Sequence, residues 1–194
     1  MIFKRNKHKV RLSYRDFLLF HHCTKTAYNN ELIERLNNQP PPTSLCGHEC
    51  LQTLNEVSYG TLDAMQRISE EEDFACAIIK ILLDVDAEEV MKEDVNKVWG
   101  FVMLVKREIE RINKLFASIK QTYSDDEIRA GVKNLSFGTF GVLDWYARRM
   151  GIADQTQVMD IGWIRIYQCM KNDNDKAEYE RRLSDIHLKK SKSK

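Results

Sequence analysis

The stretch EDVNKVWGFVMLVKREIERINKLFASIK, residues 93–120, decides the fold class of this chain. Its apolar residues recur at spacings of three and four, which places them in one stripe along a helix of about seven turns. A stripe this long usually lies across a helical core, although it also suits a dimer interface. We predict that it belongs to the core. The stripe consists of Val95, Val98, Trp99, Val102, Val105, Ile109, Ile112, Leu115 and Ile119.

Helix start signals recur on both sides of this stretch. Four pairs of residues have the three-residue spacing of a capping box, in which two side chains satisfy the first backbone N–H groups of a helix. Residues 74–83 (FACAIIKILL) are apolar on most sides and predict a short buried helix. With 3 Pro and 8 Gly in 194 residues, there is little turn material for a β-sandwich. We therefore predict an all-α fold. The four pairs are Ser13–Asp16, Asp86–Glu89, Ser124–Glu127 and Asp154–Gln157.

Two breaks divide the predicted helices. Three consecutive prolines in residues 37–50 (NNQPPPTSLCGHEC) end any helix and favour an extended stretch. Residues 134–141 (NLSFGTFG) form the second break, and a small helical unit follows it, closed either by two helices or by one bent helix. We predict four segments: an N-terminal segment with a basic end and a Pro/Cys/His loop (1–50), a helical body (51–136), a C-terminal helical unit (137–186) and a basic tail (187–194).

The net charge of +1 conceals two basic ends. Residues 1–11 carry five cationic side chains and residues 187–194 carry four, so the remainder has a net charge of −8. Basic ends can contact nucleic acid or an acidic partner, but solvated termini are the commoner reading, and we expect no nucleic-acid partner.

Hydropathy bears on the compartment. No apolar run approaches the roughly 18 residues of a membrane span. The N-terminus also lacks the apolar core of a secretory signal. We therefore expect a cytoplasmic protein with no membrane partner, whose five cysteines are reduced.

The sharpest candidate metal site is the Cys46–Gly47–His48–Glu49–Cys50 run, with Cys23 upstream. Thiolates and imidazoles are zinc ligands, and four of them can close a tetrahedral site. The C-x-H-x-C spacing lacks the C-x-x-C pair of the common zinc motifs, however. We expect a plain loop here, no structural zinc and no cofactor.

Catalytic motifs do not stand out in the sequence. Gly138–Thr139–Phe140–Gly141 is a G-x-x-G without the lysine and hydroxyl residue of a phosphate-binding loop. No metalloprotease, hydrolase or kinase motif is present either. We predict that the chain is not an enzyme and has no catalytic residues.

Aromatic and arginine side chains concentrate in the C-terminal unit. Trp, Tyr and Arg dominate the binding hot spots of protein interfaces, so this unit is our predicted partner-binding surface. The alternative is that the aromatic residues form a small core. The predicted partner-binding residues are Trp145, Tyr146, Arg149, Trp163, Arg165 and Tyr167.

Two stretches of the sequence resemble known groups of proteins. VSYGTLDAMQRI (57–68), then an apolar helix, LLDVDAEEV (82–90) and the long helix resemble a pattern in small helical proteins from bacteriophage structural gene clusters. The closing stretch FGTFGVLDWYARRMGIADQTQVMDIGWIRIYQCMKNDNDKAEYERRL (137–183) is similar to the C-terminal region of phage tail assembly chaperones.

The resemblance implies a non-catalytic phage or prophage protein. Such a chaperone binds the tape measure protein, or helps to recruit tail tube subunits, in the host cytoplasm. Two alternatives stay open: a connector or tail-completion protein that remains in the virion, and a small nucleic-acid-binding regulator. Self-association of the chain is compatible with each of them.

Overall fold

The computed structural model describes the backbone of residues 11–23, 27–120 and 122–192, with all their side chains except those of residues 22–23, 27–29 and 192. These ranges contain nine α-helices and one short β-hairpin, which confirms the predicted all-α class. The helices are α1 (Tyr14–Cys23), α2 (Ala27–Asn37), α3 (Tyr59–Gln66), α4 (Phe74–Leu83), α5 (Ala87–Val90), α6 (Val95–Ala117), α7 (Asp125–Arg129), α8 (Gly138–Met150) and α9 (Trp163–Lys192). The strands are β1 (Ser44–Leu45) and β2 (His48–Glu49), and two 3₁₀ helices span Val132–Asn134 and Gln155–Asp160.

Contacts group these elements into two units that do not follow the predicted boundaries at 50, 136 and 186. Unit 1 comprises Met1–Thr53 with Arg67–Arg107, and unit 2 comprises Leu54–Gln66 with Glu108–Lys194. Each unit therefore combines segments that are far apart in the sequence. The division falls inside α6, which the sequence analysis assigned to a single helical body.

In unit 1, the ends of α1 and α4 are held by side-chain and backbone hydrogen bonds. Asp73 caps α4 because its carboxylate accepts a hydrogen bond from the Cys76 backbone N–H at 2.9 Å. The Tyr14 hydroxyl donates to the same carboxylate, at 3.0 Å. The Tyr14 backbone N–H also donates to the Glu93 carbonyl, at 2.9 Å, which ties the start of α1 to the segment that leads into α6.

The proline run lies against α6 inside unit 1. A methyl group at Gly100 would stand 2.5 Å from the Pro40 carbonyl oxygen, so the close approach requires glycine. After the prolines, β1 and β2 pair antiparallel around Cys46 and Gly47, whose φ angles are 48° and 81°. Two consecutive positive φ values are typical of a type I′ turn. The sequence analysis expected a plain loop here and missed this hairpin.

The apolar stripe of α6 is only partly the buried face. Val95, Val98, Val102, Val105 and Ile112 are buried as predicted, whereas Trp99, Ile109 and Leu115 are half-buried. Ile119 lies beyond the end of the helix, and the completely buried Phe101 is not a member of the predicted stripe.

In unit 2, the Ser124–Glu127 signal behaves as predicted, whereas Asp154 starts a 3₁₀ helix and its carboxylate accepts from the Thr156 backbone N–H rather than from that of Gln157. The Ser124 hydroxyl and the Glu127 carboxylate form a complete capping box at the start of α7. Gly151 ends α8 with φ 68°, and the Ile152 N–H donates to the Ala147 carbonyl at 2.9 Å. This is the pattern of a Schellman cap.

A charged pair anchors α6 to residue 54 in unit 2. Glu108 accepts a hydrogen bond from the Leu54 backbone N–H at 3.0 Å and two from the Arg111 guanidinium at 2.8 and 2.9 Å. The guanidinium is the main cause of a lowered pKa for the Glu108 carboxyl, and the Leu54 N–H adds to it.

The last helix is continuous. The sequence left residues 161–171 and 176–186 as two helices or one bent helix, but residues 163–192 form the single 30-residue helix α9. Lys171 and Asp175 form an ion pair of 2.7 Å across the suspected bend. In the part of the chain that the structure describes, no helix is long and apolar enough to cross a membrane.

Candidate functional site

Unit 2 contains a groove of about 560 Å³, which we call the α8–α9 groove. Its walls come from the chain just after α6, the first two turns of α8 and the middle of α9. It is lined by Ile119, Thr122, Tyr123, Glu127, Phe137, Gly138, Gly141, Val142, Trp145, Met170, Asp173, Asn174, Ala177 and Arg181.

Glycine shapes one side of the groove mouth. Gly138 begins α8 with φ 52°, a left-handed conformation that other residues rarely adopt. A methyl group at Gly141 would lie 2.6 Å from the Phe137 β-carbon, so only glycine lets Phe137 fold back over the first turn of α8. The Phe137 ring consequently lines the groove while 70% of the residue stays exposed.

The lining is mainly apolar. Val142, Trp145 and Met170 are half-buried and pack against the core cluster of unit 2, so each of them connects the groove to that core. Leu135 and Phe140, which flank Phe137 in the sequence, are each 63% exposed. Exposed large apolar side chains this close in the sequence are typical of contact surfaces.

The charged groups of the lining have partners within the chain. The Arg181 guanidinium donates to the Thr122 carbonyl at 2.6 Å. Arg149 donates two hydrogen bonds to the Asp173 carboxylate, at 2.9 and 3.0 Å. Glu127 accepts from the backbone N–H and hydroxyl of Ser124, and the backbone hydrogen bond is the main cause of the lowered pKa of this carboxyl. A ligand in the groove would therefore meet apolar side chains and charged groups that already make hydrogen bonds within the chain.

The structure separates the predicted partner-binding residues into surface and core positions. Trp145 lines the groove, and Arg149 positions Asp173 at its edge. Arg165 is exposed but does not line the groove, and Tyr167 is half-buried with its ring edge-on to Phe116, at 5.5 Å between centroids.

Tyr146 and Trp163 are core residues, each 1% exposed. Tyr146 belongs to the cluster that also contains Leu143 and Ile166. The Trp163 indole N–H donates to the Leu54 carbonyl at 2.6 Å, so its polar edge is used inside unit 2. Their contribution to a partner surface is to support the helices that carry the groove.

Several groove residues were missed by the sequence analysis, notably Phe137, Met170 and Arg181. Phe137 carried a usable signal because it stands, with Phe140, in a glycine-rich break between two predicted helices. Met170 and Arg181 carried no such signal, because the sequence of a helix does not show which of its turns faces another segment.

The cysteine hairpin of unit 1 is the other candidate site. Cys46 and Cys50 are free thiols, and burial, followed by the nearby Cys46, raises the pKa of the Cys50 thiol to about 11. The Cys46 backbone N–H donates to the Glu93 carboxylate at 3.0 Å. Among the described residues, no three His, Cys, Asp or Glu side chains are grouped so as to hold a metal ion, and the candidate ligands Cys46, His48 and Cys50 form no such group. The side chain of Cys23, the fourth candidate, lies outside the described residues.

Comparison of the chain with protein-family models, curated proteins and solved structures finds no match. The groove and the sequence resemblance therefore remain as the observations that bear on function.

Proposed function

We propose that this chain is a non-catalytic assembly chaperone that holds an apolar helical segment of a client protein in the α8–α9 groove. One observation carries the proposal. The apolar lining of the groove reaches the surface at Phe137, close in the sequence to the exposed Leu135 and Phe140, while the charged groups of the lining make hydrogen bonds within the chain. Such a surface favours an apolar peptide segment over a charged small molecule.

A helical client fits the construction of the groove. Helices α8 and α9 form two of its walls, and helix-in-groove recognition presents apolar anchors at intervals of three and four residues. Met170 in the lining is flexible and polarisable, so it can adapt to different client side chains. The Trp145 ring offers a rigid aromatic contact beside it.

The sequence resemblance supplies the class of client. Residues 137–183 resemble the C-terminal region of phage tail assembly chaperones, and residues 57–90 resemble small helical proteins from phage structural gene clusters, so the proposed client is the tape measure protein or a tail tube subunit. The proposed place of action is the host cytoplasm during tail assembly. An aggregation-prone helical client in that setting needs a soluble carrier with an apolar groove.

Filling the groove tests the proposal. Ala177 lines the groove and is exposed, so Ala177→Trp fills the groove without disturbing the core. Lys176→Trp adds the same ring to the neighbouring exposed position, which does not line the groove, and serves as the matched control. Each variant is co-expressed with the long tail protein of the same gene cluster, and the soluble, co-purifying fraction of that protein is measured.

The wild-type chain and Lys176→Trp should keep the tail protein in solution, and Ala177→Trp should not. Co-purification with Ala177→Trp at the wild-type level would show that the client does not use the groove. Failure of the wild-type chain to keep the tail protein soluble would show that the chaperone function is wrong.

Mass spectrometry of purified particles separates the chaperone from its main rival. A chaperone should leave the particle before maturation and be missing from its peptides. Recovery of the chain at a fixed ratio to the tube subunit would instead identify a virion connector or tail-completion protein.

A further inference from the structure

The C-terminal part of α9 carries an apolar face that no described segment covers. Every described side chain from Arg182 to Ser191 is exposed. Tyr179, Leu183 and Ile186 are exposed too, and their spacings of four and three place them on one face of the helix. A helical stretch with so few tertiary contacts is marginally stable in water, so a contact along this face would stabilise it.

The charges along the same stretch are self-complementary. Residues 172–180 carry four carboxylates and one lysine, for a net charge of −3. Residues 181–190 carry four cationic side chains and one aspartate, for a net charge of +3. Two such helices attract each other when they run antiparallel, because the acidic part of each faces the basic part of the other. A parallel pair would place like charges side by side.

We propose that α9 forms an antiparallel seam with α9 of a second copy of this chain. The acidic part of α9 ends at residue 180 and the basic part begins at residue 181, so the best charge match between two antiparallel copies puts the two-fold axis near Arg181. In that register Tyr179 packs on the partner's Leu183, and Asp175, which also pairs with Lys171 of its own helix, faces the partner's Lys189. Each of these contacts occurs twice, because an antiparallel pair of identical helices is two-fold symmetric.

The dimer leaves the α8–α9 groove open. Successive residues of an α-helix are turned by roughly 100°, so Tyr179 points about 200° away from Ala177. Ala177, with Met170 and Asn174, faces the groove. The seam and the groove therefore lie on opposite faces of α9, and the proposal does not depend on the proposed chaperone function.

The size of the seam sets the expected strength. Residues 172–190 span about 28 Å of helix, and each copy contributes three large apolar side chains. This is at the low end of specific interfaces, so we expect a dimer that forms at micromolar concentration and weakens with salt.

Sedimentation velocity of the full chain from about 1 to 200 µM tests the seam, since a dimer follows mass action. Leu183→Lys replaces the apolar contact with the partner's Tyr179 by an ammonium group that must lose water at the seam, so it should weaken dimerisation by about tenfold or more. Leu188→Lys is the matched control. Leu188 is 56% exposed on the same helix but lies on the side of Ala177, so its substitution should leave the dimer nearly unchanged. Circular dichroism of both variants checks that α9 stays helical.

A charge exchange tests the orientation. Lys189→Glu should weaken the dimer, and adding Asp175→Lys in the same chain should restore it, because only an antiparallel seam brings these positions together. A monomer at every concentration would overturn the proposal, as would equal loss of dimer in Leu183→Lys and Leu188→Lys. A dimer that the double exchange does not restore would rule out the antiparallel arrangement.

Discussion

Removing the hydroxyl oxygen from each of two buried tyrosines should change the free energy of unfolding in opposite directions. Tyr14 and Tyr146 are both buried, at 4% and 1% exposure. The Tyr14 hydroxyl donates to the Asp73 carboxylate, whose other contact caps α4. The Tyr146 hydroxyl has no hydrogen-bond partner among the residues that the structure describes. Replacement by Phe makes the same chemical change at both sites.

The size of each change in the free energy of unfolding depends on whether the hydroxyl is hydrogen-bonded. A hydrogen bond to a charged group contributes about 2 kcal/mol to the free energy of unfolding, so Tyr14→Phe should lower it by that amount. A buried hydroxyl without a partner keeps its desolvation penalty, so Tyr146→Phe should raise the free energy of unfolding by about 1 kcal/mol. Most core substitutions destabilise, which makes the second sign informative.

Amide hydrogen exchange measured by mass spectrometry reports each site locally, because the slowest amides follow the local opening free energy. In peptides covering residues 74–83, Tyr14→Phe should speed exchange by about 30-fold. In peptides covering residues 138–150, Tyr146→Phe should slow exchange by about fivefold.

Faster exchange over 138–150 in Tyr146→Phe would refute the reasoning, because it would mean that the hydroxyl makes a stabilising hydrogen bond, for example to a buried water. Unchanged exchange over 74–83 in Tyr14→Phe would show that Asp73 holds α4 without the tyrosine.

Three further predictions concern pH, packing and metal. The pKa of Glu108 is lower in the folded chain than its unfolded value of about 4.3, so its ionised carboxylate stabilises the fold fully above that pH. This stability is lost as the pH falls through the folded pKa. The free energy of unfolding should therefore fall less on acidification for Glu108→Gln than for the exposed control Glu110→Gln. Gly100→Ala pushes a methyl group against the Pro40 carbonyl and should cost about 1–3 kcal/mol in urea unfolding, whereas Gly162→Ala, whose methyl group would meet no atom within 4 Å, should be nearly neutral. Treatment with a chelator should leave the Tm unchanged, and a fall reversed by zinc would point to the cysteine hairpin.

Local signals were sufficient for much of the helical architecture. The Ser124–Glu127 capping box involves residues only three positions apart, so the sequence alone predicted it. The apolar run 74–83 is a helix with the predicted bounds. The Asp86–Glu89 pair shows the limit of such signals, because Asp86 starts α5 without a side-chain cap hydrogen bond.

Which aromatic residues face solvent was decided only by the tertiary structure. Trp163 and Trp145 look alike in the sequence, yet Trp163 is buried on the carbonyl of Leu54, 109 positions away, while Trp145 lines the groove. The division into two units has the same origin, since each combines distant segments. Helix caps and apolar periodicity are encoded within a few residues. The burial of a side chain and the formation of a groove depend on which distant segments come into contact. The spacing of residues along the sequence does not specify those contacts.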